Sequence, residues 1–209
     1  MAGSGAMRDR ILDATESLLT RLGYRKMTMD DVAQEAGIGK RTIYVHFPSK
    51  EEVALASIDR VVDRLTTRLR ELAQGDGTPD QRLRQMLLCR ILFRFDSVQG
   101  YSHRLDGLFE SLRPAYMSRR RRYFEEEASI FTNVLAQGRD EGFFACDDPA
   151  VMAHTMLLAT NSLLPYSLNA QELGRRDEVE INAGRIADLL LNGIRRRPPS
   201  IGPKRKVRD

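Results

Sequence analysis

Apolar residues recur at helical spacing along almost the whole chain. No segment alternates with the period of two that a half-buried strand requires. Ile11, Ala14, Leu18, Leu19 and Leu22 mark one face of a first helix beginning near Met7, and Gly23 follows where a left-handed residue ends a helix. A second helix begins at Thr28. The threonine stands at the N-cap with Asp31 three residues on, a variant of the capping box, and Val32, Ala33 and Ala36 form the apolar side up to Gly37. A third, short helix runs from Gly39 to about His46. It closes at Phe47-Pro48, because the residue before proline avoids the α region. Ser49 caps a fourth helix reaching Ala73, with Glu51 and Glu52 in its first turn and Ala54, Ile58, Val61, Leu65, Leu69 and Leu72 as its stripe.

"QGDGTPD" (Gln74 to Asp80) reads as a linker. Beyond it the pattern predicts helices over about 79–96, 104–111, 114–141, 149–168 and 177–196, which makes about nine in all. The fold class is therefore all-α. The organisation has three parts: an N-terminal three-helix unit over 7–53, a larger helical domain over 54–197, and a disordered basic tail over 198–209. Pro165 is expected inside an apolar helix, either kinking it at a cavity wall or bending its end.

Composition sharpens this picture in two places. The 209 residues are 42% hydrophobic and 30% charged, enough to bury a core. No apolar run approaches the ~18 residues of a membrane span, and "MAGSGAMRDR" lacks the apolar centre of a signal peptide. "MAGSGA" is left out of the predicted fold, and a cytoplasmic location is expected. Cys89 and Cys146 fit a reducing compartment and two small core positions. With His46, His103 and His154 they form no ligand-spaced cluster, so no metal or other cofactor is expected. The net charge of +4 is concentrated at one end. Residues 195–209 hold seven Lys or Arg and one Asp, so the remainder carries −2 and any nucleic-acid site must be a local patch.

That patch is at "VAQEAGIGKRTIYVHF". Two short helices joined by a tight glycine turn form a helix-turn-helix, whose later helix enters the DNA major groove. Gly37 is expected to take the left-handed conformation, Ile38 to plug the gap between the helices, and Gly39 to allow a sharp start to the next. The helix then presents Lys40, Arg41, Thr42, Tyr44, Val45 and His46. Lys and Arg contact phosphate or guanine edges, and Thr bonds either or touches a thymine methyl. Lys50, at the start of the fourth helix, adds a cation beside helix-terminal amides, which suits a phosphate. Arg25 and Lys26 are either solvated loop charges or further phosphate contacts. In Arg119–Arg122 the following Glu125–Glu127 suggest self-pairing at i,i+4, against the sharper reading of an anion or partner patch. "PKRKV" in the tail reads as solubilising or DNA-brushing rather than as a nuclear signal.

The segment Thr28–Glu52 resembles the DNA-binding signature of the TetR family of regulators. Val32-Ala33, Ala36-Gly37-Ile38, Thr42-Ile43-Tyr44, His46-Phe47 and Lys50-Glu51 fall at matching positions, and Met7 to Tyr24 is similar to the family's first helix. Gly39 departs from the family's usual serine and is the weaker cap. The resemblance implies DNA contacts at Thr28, Lys40, Thr42, Tyr44, His46 and Lys50, beside Arg41 of the same helix. It implies a ligand cavity in the larger domain, for which Phe95, Tyr101, Phe109, Tyr116, Phe124, Phe131, Met156 and Asn161 are candidates. It also implies a homodimer joined by the last two helices, whose apolar faces would be Met152, Met156 and Leu163 with Val179, Ala183, Ile186 and Leu190. The expected partners are a palindromic double-stranded operator, a small and mainly apolar effector, and a second copy of the chain, with no membrane. The expected function is a transcriptional repressor released by its ligand. Two alternatives are a helical ligand-binding or interaction module without DNA recognition, and an enzyme using the helical cavity. No nucleophile–base pair, paired carboxylates or metal cluster supports the enzyme.

Overall fold

The computed structural model describes residues 2–99, 105–165 and 174–196. They form eight α-helices: α1 Ala2–Arg21, α2 Met29–Ala36, α3 Lys40–His46, α4 Lys50–Gln74, α5 Pro79–Gln99, α6 Leu105–Asp140, α7 Pro149–Thr160 and α8 Arg176–Ile194. Among the described residues the only extended pairing is one antiparallel bridge between Phe144 and Arg195, which ties the end of α8 to the α6–α7 turn. Tyr101 and the tail 198–209 lie outside the described residues.

Three expected boundaries move. The two helices predicted over 104–111 and 114–141 are a single helix of 36 residues with Pro114 inside it. Proline removes one N–H from the ladder, but Leu112, Tyr116 and Tyr123 anchor this stretch in a core on both sides of the gap. Helix α1 begins at Ala2 rather than Met7, so the excluded "AGSGA" is helical. Helix α7 ends at Thr160 rather than near residue 168. The Thr160 hydroxyl donates back to the Met156 and Leu157 carbonyls (3.0 and 3.1 Å), and Asn161–Leu163 tighten into a 3-10 turn. Leu164 is extended, the conformation favoured before a proline, so Pro165 follows the helix instead of kinking it.

Apolar burial falls into three clusters. The first joins α1, α2, α3 and the first half of α4 through Ile11, Leu18, Val32, Ile43, Phe47 and Val62, and takes in Leu112, Tyr116 and Tyr123 from α6. The second starts at Leu65 of α4 and collects α5, α6, α7 and the end of α8 around Leu83, Met86, Phe131, Met156 and Leu191. The third packs the second half of α5 on the start of α8 through Ile91, Phe95, Leu164, Val179 and Ala183. The change from first to second core falls between Val62 and Leu65, later in α4 than the 53/54 boundary. Both α4 and α6 therefore belong to both cores.

A charged network lies inside the larger unit. The Arg90 guanidinium is buried and donates to Glu127 (2.7 Å), to the Thr160 hydroxyl (2.7 Å) and to the Asn161 side-chain Oδ1 (2.8 Å), while Arg94 also donates to Glu127. Burial would raise the Glu127 carboxyl, but the Arg94 and Arg90 charges outweigh it and hold the group below the usual carboxylate range. The network binds the carbonyl-rich end of α7 to α5 and α6, where a cation is favoured.

Two members of the arginine run, Arg119 and Arg122, pair with acidic groups of α4. Arg119 donates to Asp59 (2.5 Å) and Glu52 (2.7 Å) of α4, and Arg122 also reaches Asp59. Glu126 accepts from Arg70 and Glu125 faces His154. The turn of α6 aims these groups at different helices before they can meet each other.

Candidate nucleic-acid interface

The first core holds α3 by two side chains, Ile43 and Phe47, both almost fully buried. Everything else on this seven-residue helix is directed outward or to its flanks. Helix α2 is fixed just ahead of it. Thr28 is extended at the N-cap, its hydroxyl accepts from the Asp31 N–H (3.2 Å), and Asp31 accepts from the Thr28 N–H (2.8 Å), closing the predicted capping box. The Thr28 hydroxyl also donates to the Asp31 carboxylate, whose pKa is lowered chiefly by that bond.

The turn assigns different roles to its two glycines. Gly37 has φ +60° and ψ +41°, a left-handed conformation, and its N–H and that of Ile38 close onto Gln34 and Ala33 carbonyls. A Cβ at Gly37 would also stand 2.9 Å from Arg10 Nη2, whose guanidinium donates to the Gly37 carbonyl (3.4 Å). Gly39 is extended (φ −69°, ψ 141°), and a Cβ there would meet only Thr42 Oγ1 at 4.0 Å. The start of α3 thus needs no glycine conformation at Gly39, and the helix lacks a side-chain cap, in keeping with glycine as the weaker cap.

Five of the seven predicted DNA contacts lie on α3, while Thr28 caps α2 and Lys50 opens α4. Lys40, Arg41 and Tyr44 are exposed, Thr42 and His46 are half-buried on the flanks of α3, and Thr28 is exposed at the start of α2. Lys40 Nζ lies 2.8 Å from Asp30 of α2, and that bond raises its pKa. Lys50 Nζ stands 4.5 Å from the Tyr24 ring centre and donates to the Arg25 carbonyl (3.3 Å); partial burial lowers its pKa. Asp30 has no counterpart in the sequence reading, because a carboxylate beside a cation ten residues away gives no local signal. Val45 was expected on the presented helix without a stated role, and it is among the most exposed apolar side chains.

Residues 7–53 hold eight Lys or Arg and eight Asp or Glu, so a positive face requires the charges to be sorted. Arg60 of α4 takes up Asp13 and Glu16, Arg21 takes Glu35, and Arg119 takes Glu52. Asp31 is spent on the cap. Arg41 makes no ion pair among the described residues. The surface of α3 is thereby left cationic and hydrogen-bonding on a neutral unit.

The expected ligand residues are not brought together. Phe95 lies in the third core, Tyr116 in the first, Phe131 and Met156 in the second with Phe124 at its edge, and Asn161 is engaged by Arg90. The Tyr101 and Phe109 side chains fall outside the description. The described residues instead line an open groove of about 550 Å³ between α4 and α6, bounded by Arg70, Gln74, Glu126, Asn133 and Gln137, and one of about 260 Å³ between α1, α4 and α5.

The expected dimer face also needs correction. Met156, Val179 and Ala183 are consumed by the chain's own cores, and Met152, Leu163, Ile186 and Leu190 are half-buried. The open apolar side chains are Val151 and Leu158 on α7 and Ile181 and Leu189 on α8, at 53–73% exposure. Both helices are apolar on two sides, so periodicity alone chose the inward one.

Comparison with known proteins fits this geometry. Residues 11–57 match the family model described as bacterial regulatory proteins, tetR family. The chain is 36% identical over 88 residues to the HTH-type transcriptional repressor KstR of Mycolicibacterium smegmatis, covering 41% of this chain and 43% of that protein. It is 27% identical over 143 residues to the repressor KstR2 of Mycobacterium tuberculosis, covering 67% and 70%. The match thus spans less than half the length of the first relative. Among solved structures, a regulator of the TetR/AcrR family from Thermobifida fusca YX-ER1 superposes with a TM-score of 0.66 at 30% identity, over 90% of this chain and 98% of that one. With the helix-turn-helix segment matched and the likeness extending over nearly the whole fold, this chain belongs to the TetR family of bacterial regulatory proteins.

Proposed function

We propose that the protein is a sequence-specific DNA-binding transcriptional repressor, acting as a cytoplasmic homodimer and released from a palindromic operator by a small, mainly apolar ligand. One observation carries this reading: α3 is clamped by Ile43 and Phe47 and presents Lys40, Arg41, Thr42, Tyr44 and His46 from a turn that Gly37 fixes. Thr28 and Lys50, near the starts of α2 and α4, flank it as phosphate contacts. The repressor names of the KstR relatives support the direction of regulation. The apolar stripe of Val151, Leu158, Ile181 and Leu189 supports pairing through α7 and α8, and an isologous pair places two recognition helices in successive major grooves.

The route from ligand to DNA runs through the two helices shared by both cores. Arg119 of α6 grips Glu52 and Asp59 of α4, and the buried Tyr123 hydroxyl donates to Asp59. A ligand that repositions α6 would move α4 and, with it, the spacing of the recognition helices. Switching such a dimer from 1:99 to 99:1 requires about 5.5 kcal/mol of differential affinity between the two states. Operator DNA must weaken ligand binding by the same factor.

The test is a gel shift of the intact protein on the DNA upstream of its own gene, followed by a thermal-shift screen of apolar metabolites. The reading expects a discrete shifted band, and a hit from the screen that dissolves it. Failure to bind any DNA at low salt would remove the proposal.

A further inference from the structure

Successive residues of an α-helix step round its axis by about 100°. With buried Ile43 marking the direction of the core, Arg41 and Val45 lie at about 160° and 200° from it, one turn apart and nearest to straight outward. Lys40 and Tyr44 fall on one flank, and Thr42 and His46 on the other, where both are half-buried. The centre of the presented face is therefore an arginine and a valine.

Neither side chain is buried or ion-paired among the described residues. Val45 is 77% exposed, the highest value among the described large apolar residues. Val151, Leu158, Ile181 and Leu189 share the surface assigned to a second copy, but Val45 stands apart from them on α3. Arg41 is exposed without an ion pair among the described residues, whereas Lys40 is drawn off the centre by Asp30 on α2. A lone apolar group beside a free guanidinium, on a helix presented to DNA, has a specific complement in the major groove. The guanine edge offers O6 and N7 as paired acceptors, which a planar guanidinium matches with two N–H donors, and the thymine C5-methyl is the apolar group of the groove.

The geometry points to Arg41 and Val45 as the pair that sets operator sequence, with Arg41 donating to a guanine and Val45 packing on the methyl of a nearby thymine. Four residues of helix rise about 6 Å, close to two base-pair steps, so the guanine and thymine stand within about two base pairs of each other in each half-site. The flanking Lys40, Tyr44, Thr42 and His46 then serve the phosphates and hold the register. This assignment rests on the DNA-binding function proposed above and adds to it the bases that are read.

The test separates the two claims. Sites are selected from randomised duplex DNA with the intact protein at fixed salt, and affinities for the selected site are measured by fluorescence anisotropy. The site is then remade with deoxyuridine for the thymine, which removes only the methyl, or with 7-deazaguanine for the guanine, which removes only the N7 acceptor. The wild type should lose about fourfold with deoxyuridine, the worth of one buried methyl. It should lose at least about fivefold with 7-deazaguanine. Val45→Ala should bind the thymine and deoxyuridine sites equally while still preferring guanine to its deaza form, and Arg41→Ala should show the converse. Both variants should keep the wild-type melting temperature, because both positions are exposed. Selected half-sites lacking a guanine and thymine so spaced would overturn the assignment. So would a wild type indifferent to the methyl, or a Val45→Ala that still discriminates it. Failure to enrich any sequence would instead sink the DNA-binding function, and this assignment with it.

Discussion

Replacing Gly37 with alanine and Gly39 with serine should move stability in opposite directions, although the two glycines stand one residue apart. At Gly37 the backbone is left-handed (φ +60°), which costs an L-residue about 1–2 kcal/mol. The new Cβ would also meet Arg10 Nη2 at 2.9 Å, but that is the end of a flexible side chain holding a weak exposed bond of 3.4 Å, so its displacement adds little. At Gly39 the backbone is extended, with nothing closer to a Cβ than Thr42 Oγ1 at 4.0 Å. A serine there would accept from an N–H of the first turn of α3, worth a few tenths of a kcal/mol over glycine, roughly. It would also stiffen the unfolded chain, worth about 0.4–1 kcal/mol. For a chain of this size 1 kcal/mol corresponds to about 2–4 °C. Gly37→Ala should therefore melt about 2–8 °C below wild type, and Gly39→Ser about 1–5 °C above it. Thermal unfolding followed by far-ultraviolet circular dichroism checks this, at equal protein concentration because the proposed dimerisation would shift the midpoint. Amide exchange at Lys40–Thr42 should slow in Gly39→Ser. Equal losses in both variants, or no loss in Gly37→Ala, would refute the division of labour in the turn.

Three further outcomes follow from the packing. Leu158→Glu or Leu189→Glu should yield a folded monomer by sedimentation velocity, whereas Val179→Glu should unfold the chain, because Val179 faces the third core. Glu127→Gln leaves two arginines short of their buried carboxylate and should cost roughly 3–5 kcal/mol in urea unfolding at pH 7. Since the folded state lowers the Glu127 pKa, its contribution is full above the ordinary glutamate pKa of about 4.3 and fades as pH falls through the folded value, so the wild-type advantage should shrink below that pH. Arg119→Ala should leave operator affinity near wild type while reducing the ligand-induced loss of affinity, measured by anisotropy with and without ligand. An unchanged ligand response would remove Arg119 from the coupling route.

What the sequence made legible was local. The Thr28–Asp31 capping box, the Gly37 turn, the Ser49 cap and the close of α3 at Phe47-Pro48 each depend on residues within a few positions of one another, and each is found as read. Long-range choices were not legible. Arg90 meets Glu127 across 37 residues and Arg119 meets Asp59 across 60, and no periodicity signals either pairing. Helix α8 is apolar on two sides, so Val179 and Ala183 were read as interface while Ile181 and Leu189 carry the open face. Pro114 was read as a helix start by its usual preference, and tertiary anchoring of Leu112 and Tyr116 overrode it. Of the candidate ligand residues, Phe95, Tyr116, Phe131 and Met156 lie in three separate cores, because aromatic content marks cores as readily as cavities.

The central claim is that α3 reads a specific DNA sequence. Its most direct test is a competition titration of the intact protein, at one fixed salt concentration, between the site it selects and unrelated duplex of equal length. The account predicts a preference of at least about a thousandfold. Arg41→Ala combined with Thr42→Ala, Tyr44→Ala and Val45→Ala should bring it down to the non-specific level while the protein stays folded. Equal affinity for the two duplexes, or a preference that survives loss of all four side chains, would contradict it.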